Sequence, residues 1–144
     1  QQIIEARSVI EVALVGWAAE RATEEEIAEI GRLLEQLENS QDDMSSYVDS
    51  DLAFHLSVAR AAHNEMLANV LIMFQHILRV WMETTYQESR DTAASMALHR
   101  KIFAAIQVRD EAAARKAMGE HTSGGPFLAA SARRFVDGLP PFFS

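Results

Sequence analysis

Apolar residues along this chain recur at helical intervals, and no stretch shows the sustained period-two alternation of a strand. Over Gln2–Arg21, Ile3, Ile10, Leu14 and Trp17 trace one stripe. Arg7 falls on the same stripe, an unusual place for an arginine that demands an anionic partner, either a ligand or a nearby acid such as Glu11. Thr23 followed by Glu24, Glu25 and Glu26 predicts an N-cap with acids in the first turn, where the helix dipole favours negative charge. That second helix continues through Ile27, Ile30, Leu33, Leu34 and Leu37 and stops near Asn39 and Ser40. After a polar stretch over 41–46, a third helix carries Val48, Leu52, His55, Leu56 and Ala59 and ends around Ala62 and His63. Asn64 caps a fourth over 65–87, apolar on so much of its surface that it is expected to be the central, most buried element. Asp91 and Thr92 open a fifth with Met96, His99, Ile102, Phe103 and Ile106. Asp110 opens a sixth with Ala113, Ala117, Met118 and His121. Gly124-Gly125-Pro126 stops or bends the sixth, a short helix is expected over 127–136, and the aromatics of 139–144 are expected to dock on the body or a partner. The pattern predicts an all-α fold, a compact bundle of six or seven helices.

Composition narrows the function classes. A chain of 144 residues suits one domain and can bury about two thirds of its unfolded surface. It has no cysteine, which excludes a disulfide scaffold and a thiolate metal site and suits a reducing, cytoplasmic setting. No apolar run reaches the roughly 18–20 residues that a membrane-spanning helix needs, and no secretory signal opens the chain. The net charge of −8 argues against nucleic-acid binding by these residues, since phosphate affinity needs clustered Lys and Arg. The adjacent basic pairs, Arg100-Lys101, Arg115-Lys116 and Arg133-Arg134, read as solvated helix surface. The first residue is Gln, so the chain is expected to be a fragment or to lack a disordered front end.

Four residues carry candidate chemistry: Asp51, His55, His99 and His121. Asp51 and His55 are four apart on a helix and project from one face. His99 lies ten residues before Arg109 and His121 eleven after Asp110. If the fifth and sixth helices turn back at 109–110, both histidines stand roughly 15–17 Å from the turn at 1.5 Å rise per residue. Imidazole with carboxylate is the ligand set of a divalent transition metal, zinc or nickel foremost, and one shared ion would satisfy four polar groups set in apolar helices. There is no Glu-x-x-His of a ferritin-like di-iron site and no His-Glu-x-x-His of a zinc protease. Gly124-Gly125 lacks phosphate-loop context, and no nucleophile elbow is visible. His63 and His76 read as a helix terminus and a partly exposed face.

With those residues in place, the chain resembles the C-terminal effector-binding domain, called FCD, of the FadR-type branch of GntR-superfamily transcriptional regulators. The resemblance runs from Ile4-Glu5-Ala6-Arg7 and Glu11 through 18–23, 51–55 and 61–64 to 98–106, Arg109-Asp110, Ala113-Ala114 and His121. It implies an antiparallel helical bundle enclosing a metal and ligand pocket. By motif position, the metal ligands of the family's metal-containing members, one Asp and three His, correspond to Asp51, His55, His99 and His121. It implies a small carboxylate effector, with Arg7 at the pocket. The chain departs from the family at 122–126, where the last helix usually continues.

Two functions from different classes follow. The favoured one is a ligand-sensing module: a metal with open positions and Arg7 bind a carboxylate, with Asn64, Arg79 and Tyr86 as further pocket candidates. Binding then shifts the placement of two DNA-binding domains in a homodimer. DNA is contacted only through a winged helix-turn-helix expected ahead of residue 1, and no membrane is involved. The alternative is a metal-dependent hydrolase of helical fold, in which the metal activates water.

Overall fold

The computed structural model describes residues 2–89 and 92–123. Among them the chain forms six helices and no strand: α1 (Gln2–Arg21), α2 (Glu24–Glu38), α3 (Met44–Ala61), α4 (Glu65–Ser89), α5 (Ala93–Gln107) and α6 (Glu111–Thr122). The expectations over 124–126, 127–136 and 139–144 lie outside the described residues, as does Asp91.

Short polar side chains set most of the boundaries. Thr23 and Glu26 form a reciprocal capping box at the start of α2, each satisfying a backbone N–H that the helix leaves unpaired. Asp43 accepts from Ser46 N at 2.8 Å and starts α3 inside the stretch expected to be irregular, because an N-cap aspartate stabilises a first turn whatever its polarity. Asn64 Oδ1 accepts from Leu67 N at 3.1 Å and Asp110 Oδ1 from Ala113 N at 2.9 Å, opening α4 and α6. Thr92 precedes α5 but makes no side-chain cap bond; its hydroxyl donates to Gln41 Oε1 at 2.6 Å instead.

The reversal between α5 and α6 falls at Arg109. Its φ of 60° places a non-glycine residue in the left-handed region. Arg109 N donates to Ile106 O at 3.1 Å and Asp110 N to Ala105 O at 2.9 Å, a Schellman closure that satisfies two terminal carbonyls. The Arg109 guanidinium binds the Ala22 carbonyl and Glu24, tying this turn to the α1–α2 junction.

The central element is α1, which packs against α3, α4, α5 and α6. Leu14, Val15, Ala18 and Ala19 of α1 meet Ile30 and Leu37 of α2, Val48, Phe54 and Val58 of α3, Ile102 and Ile106 of α5, and Met118 of α6 in one core. The expectation that α4 is the most buried helix is wrong. Ala68, Leu71 and Leu78 are buried, but Met66 and Met73 are 75% and 77% exposed, and Ile77 and Val80 share their outer stripe. Apolar residues on two sides of a helix resemble a buried helix in sequence, although only the inner side packs here.

Candidate metal centre

Helical spacing and the α5–α6 reversal bring four distant residues together. Asp51 and His55 stand one turn apart on the inner face of α3, His99 projects from α5, and His121 from the last turn of α6. All four are buried, His99 completely. One donor atom from each lies within 4.8 Å of every other. His99 Nε2 is 2.9 Å from Asp51 Oδ1, and His55 Nε2 is 3.7 Å from Asp51 Oδ2. His55 Nε2 lies 3.0 Å from His121 Nε2, with the two rings stacked 17° from parallel. Phe54 packs edge-on against His55 and His99 and closes one apolar side of the cluster.

The second layer explains how the rings are held. His99 Nδ1 donates to the Ser95 carbonyl at 2.8 Å, which turns Nε2 toward Asp51. On the other side, His55 Nδ1 lies 2.6 Å from Glu11 Oε2, and Glu11 Oε1 accepts from Arg7 Nε at 2.7 Å. The distance from His55 to Glu11 is short, but neither atom has a hydrogen bond of acceptable direction. The contact is an ion-pair-range approach off the N–H axis. Arg7 is 4% exposed and Glu11 2%, so both charges are held in the interior.

The electrostatics follow from burial and neighbours. Burial alone would raise the Glu11 carboxyl, but Arg7 and His55 beside it outweigh that and lower it to about 2. Asp51 is likewise lowered to about 2, with His55, His99 and Arg7 opposing the cost of its burial. Burial also acts to lower Arg7, yet Glu11 and Asp51 raise it. His121 is pushed well below its ordinary value by burial first, then by His99 and His55. It is therefore neutral near pH 7, the form that can donate a lone pair.

These atoms fit a cation. Donors held about 2.0–2.2 Å from one tetrahedral centre stand about 3.3–3.6 Å apart. The 2.9 and 3.0 Å separations fall a few tenths of an ångström short of that range, and the 4.8 Å limit lies beyond it, so the four donors surround one centre and close on it by small side-chain shifts. Asp51 Oδ2 and His99 Nε2 are buried without an acceptable hydrogen bond, and the two facing Nε2 lone pairs repel unless a proton or a cation lies between them.

The other sequence candidates fall elsewhere or beside the cluster. Arg7 reaches it through Glu11. Asn64 is the α4 cap, and Arg79 pairs with Asp49 and, at 3.8 Å, with Glu83; neither bonds to Arg7 or to the four donors. The Tyr86 side chain lies outside the described residues. His63 pairs with Glu26 at 2.9 Å on the surface. Sequence reasoning gave Glu11 as a partner for Arg7 and as part of the family resemblance, not as a neighbour of His55. Its contact with His55 was readable at most from its place one turn after Arg7 on the same apolar stripe.

The family model of the FCD domain matches residues 2–124. The chain belongs to the FCD family. This FCD domain is 29% identical over 114 residues to the Galactonate operon transcriptional repressor of Escherichia coli K12, covering 78% of the chain and 50% of that protein. It is 30% identical over 137 residues to the Putative L-lactate dehydrogenase operon regulatory protein of the same organism, covering 92% of the chain and 51% of the relative. The chain thus spans about half the length of the curated relatives it matches. Among solved structures, E. coli McbR/YncC superposes with a TM-score of 0.79 at 19% identity, covering 92% of this chain and 67% of that one. Streptococcus agalactiae GntR follows at 0.74 and 21%, covering 93% and 57%. At such identities the two structures speak for the all-α FCD fold alone. The chain thus shares its FCD domain with proteins named as transcriptional regulators. No helix among the described residues is long and apolar enough to cross a membrane.

Proposed function

We propose that this FCD domain senses a small organic acid at a divalent metal held by Asp51, His55, His99 and His121, and that occupancy controls DNA binding by an upstream domain. One observation carries the reading: four buried donors from α3, α5 and α6 lie within 4.8 Å of one another. Three imidazoles and one carboxylate suit zinc or nickel. When bound, the metal supplies Lewis-acid positions for an anionic oxygen.

The chain's own residues do the remaining work. Arg7 Nε is committed to Glu11, whereas its Nη2 is buried without a hydrogen-bond partner. Such a donor favours a carboxylate, because leaving it unpaired in the interior is costly. Phe54 supplies an apolar wall that keeps water from competing. Two relatives carry names of operons for hydroxy acids, galactonate and L-lactate, which supports a compact acid with a hydroxyl.

In the whole protein we place a winged helix-turn-helix ahead of residue 1, a homodimer and a cytoplasmic setting. The acid then acts through its differential affinity for two arrangements of the dimer. Metal analysis of the purified chain, followed by titration calorimetry with gluconate, galactonate, lactate and citrate before and after chelation, tests the reading. Stoichiometric metal and chelator-sensitive binding without turnover are expected. A chain free of metal, or equal binding after chelation, refutes it. A gel shift with the chain alone should show no DNA complex.

A further inference from the structure

A buried carboxylate that is not one of the four donors stands behind them. Glu11 is 2% exposed and sits on α1, which contributes no donor of its own. Its two oxygens serve different groups: Oε1 takes Arg7 Nε at 2.7 Å and Oε2 lies 2.6 Å from His55 Nδ1. A fully buried charge of this kind is costly unless its neighbours compensate it. Arg7 alone would satisfy the charge, so the approach to His55 needs a separate account.

The two histidines nearest Asp51 supply one by comparison. In each, Nε2 turns toward the cluster and Nδ1 turns away toward an oxygen. For His99 that oxygen is the Ser95 carbonyl of its own helix, one turn back. For His55 it is a side chain on another helix, itself bound to the one buried arginine among the described residues. A backbone carbonyl holds a ring rigidly, whereas a carboxylate also raises the ring's basicity and answers to its other partner.

We propose that Glu11 is a positioning residue for the metal centre: it sets Oε2 against His55 Nδ1 at ion-pair range, keeps Nε2 turned to the cluster, and ties that ligand to Arg7 through its second oxygen. The inference rests on the proposed metal reading and extends it. Arg7 and His55 share one carboxylate, so an anion drawn to the free Nη2 of Arg7 changes how much of the Glu11 charge faces His55. Metal and acid are thereby coupled, and coupling between two bound species is reciprocal.

The test compares the purified chain with Glu11→Gln, which keeps the volume and removes the charge, and with Glu11→Asp, which keeps the charge. Zinc affinity is read by competition with a chromophoric chelator, and ligand geometry from the visible spectrum of the cobalt(II) form. Glu11→Gln should bind zinc roughly 10–100-fold more weakly with a shifted cobalt spectrum, and Glu11→Asp should recover part of the loss. A merely structural Glu11 would lower Tm but leave the zinc affinity of the folded protein and the cobalt spectrum as in wild type. That result overturns the proposal. If wild type takes up no zinc, the metal reading itself falls; if wild type and Glu11→Gln bind zinc equally, only the Glu11 inference does. Should both variants fail to fold, imidazole nitrogen NMR of the zinc-loaded wild type decides. Nε2 bound with Nδ1 protonated on His55 is expected, and coordination through Nδ1 refutes.

Discussion

Asp51→Asn separates metal binding from packing, because Asn matches Asp in shape and opens no cavity in α3. Asp51 is fully buried with its carboxyl lowered to about 2 from 3.8. At about 1.4 kcal/mol per tenfold change, that preference is worth on the order of 2 kcal/mol in the metal-free protein. With an unfolding entropy of about 2.1 cal/mol/K per residue, 144 residues convert it to a Tm loss of roughly 7 °C. Metal adds a second contribution. At a free concentration 100 times its dissociation constant, a ligand that binds only the folded state adds about 2.7 kcal/mol, or roughly 9 °C here. Wild type should therefore gain roughly 9 °C on zinc addition, and Asp51→Asn, already lower in chelator, should gain almost nothing. Differential scanning fluorimetry with and without chelator reads both numbers. An equal zinc-dependent gain in the variant would remove Asp51 from the ligand set, and no gain in wild type would remove the metal.

Acid should weaken the chelator-treated protein in two stages. His121 is held below its ordinary value, so the unfolded chain takes its proton first. That stability is whole above about pH 6.5 and is lost as pH falls, and a flat Tm between about pH 7 and 5 would contradict it. Asp51 and Glu11, lowered to about 2 from 3.8 and 4.5, add a further loss as pH drops below those values. Arg7→Ala should cut carboxylate affinity at least about tenfold in calorimetry while metal stoichiometry stays at the wild-type value. Unchanged affinity would sever Arg7 from the ligand. Gly16→Ala would push a Cβ into the Arg115 guanidinium, which donates to the Val12 carbonyl at 3.0 Å. Losing that bond should cost about 1–2 kcal/mol in urea denaturation, and a neutral result would mean that Arg115 swings aside freely.

Much of the fold was legible because its boundaries are written in local chemistry. Thr23 with Glu26, Asn64 and Asp110 each cap a helix through their own side chains, and such signals survive without tertiary context. Asp43 uses the same chemistry, but the neighbouring polar residues disguised it. The place of α4 was not legible: periodicity reports that Met66, Leu71, Met73 and Leu78 are apolar, not which of two apolar sides finds a partner. The convergence of His99 and His121 could be computed, because their heights depend only on helical rise and one turn. The Glu11–His55 approach could not, because it depends on how α1 rotates against α3, which packing decides.

The turn at Arg109 also bears on the order of events as the chain folds. His99 and His121 meet across a hairpin whose reversal is closed by local backbone bonds, whereas Asp51 and His55 must arrive from a helix more than forty residues earlier. Contacts close in sequence cost little loop entropy and form early, and distant ones come late. Half of the cluster is thus expected to assemble with α5 and α6, and the other half only when α3 docks. Asp110→Ala, which removes the α6 cap, should then slow refolding in stopped-flow measurements, while Asp43→Ala at the start of α3 should chiefly hasten unfolding.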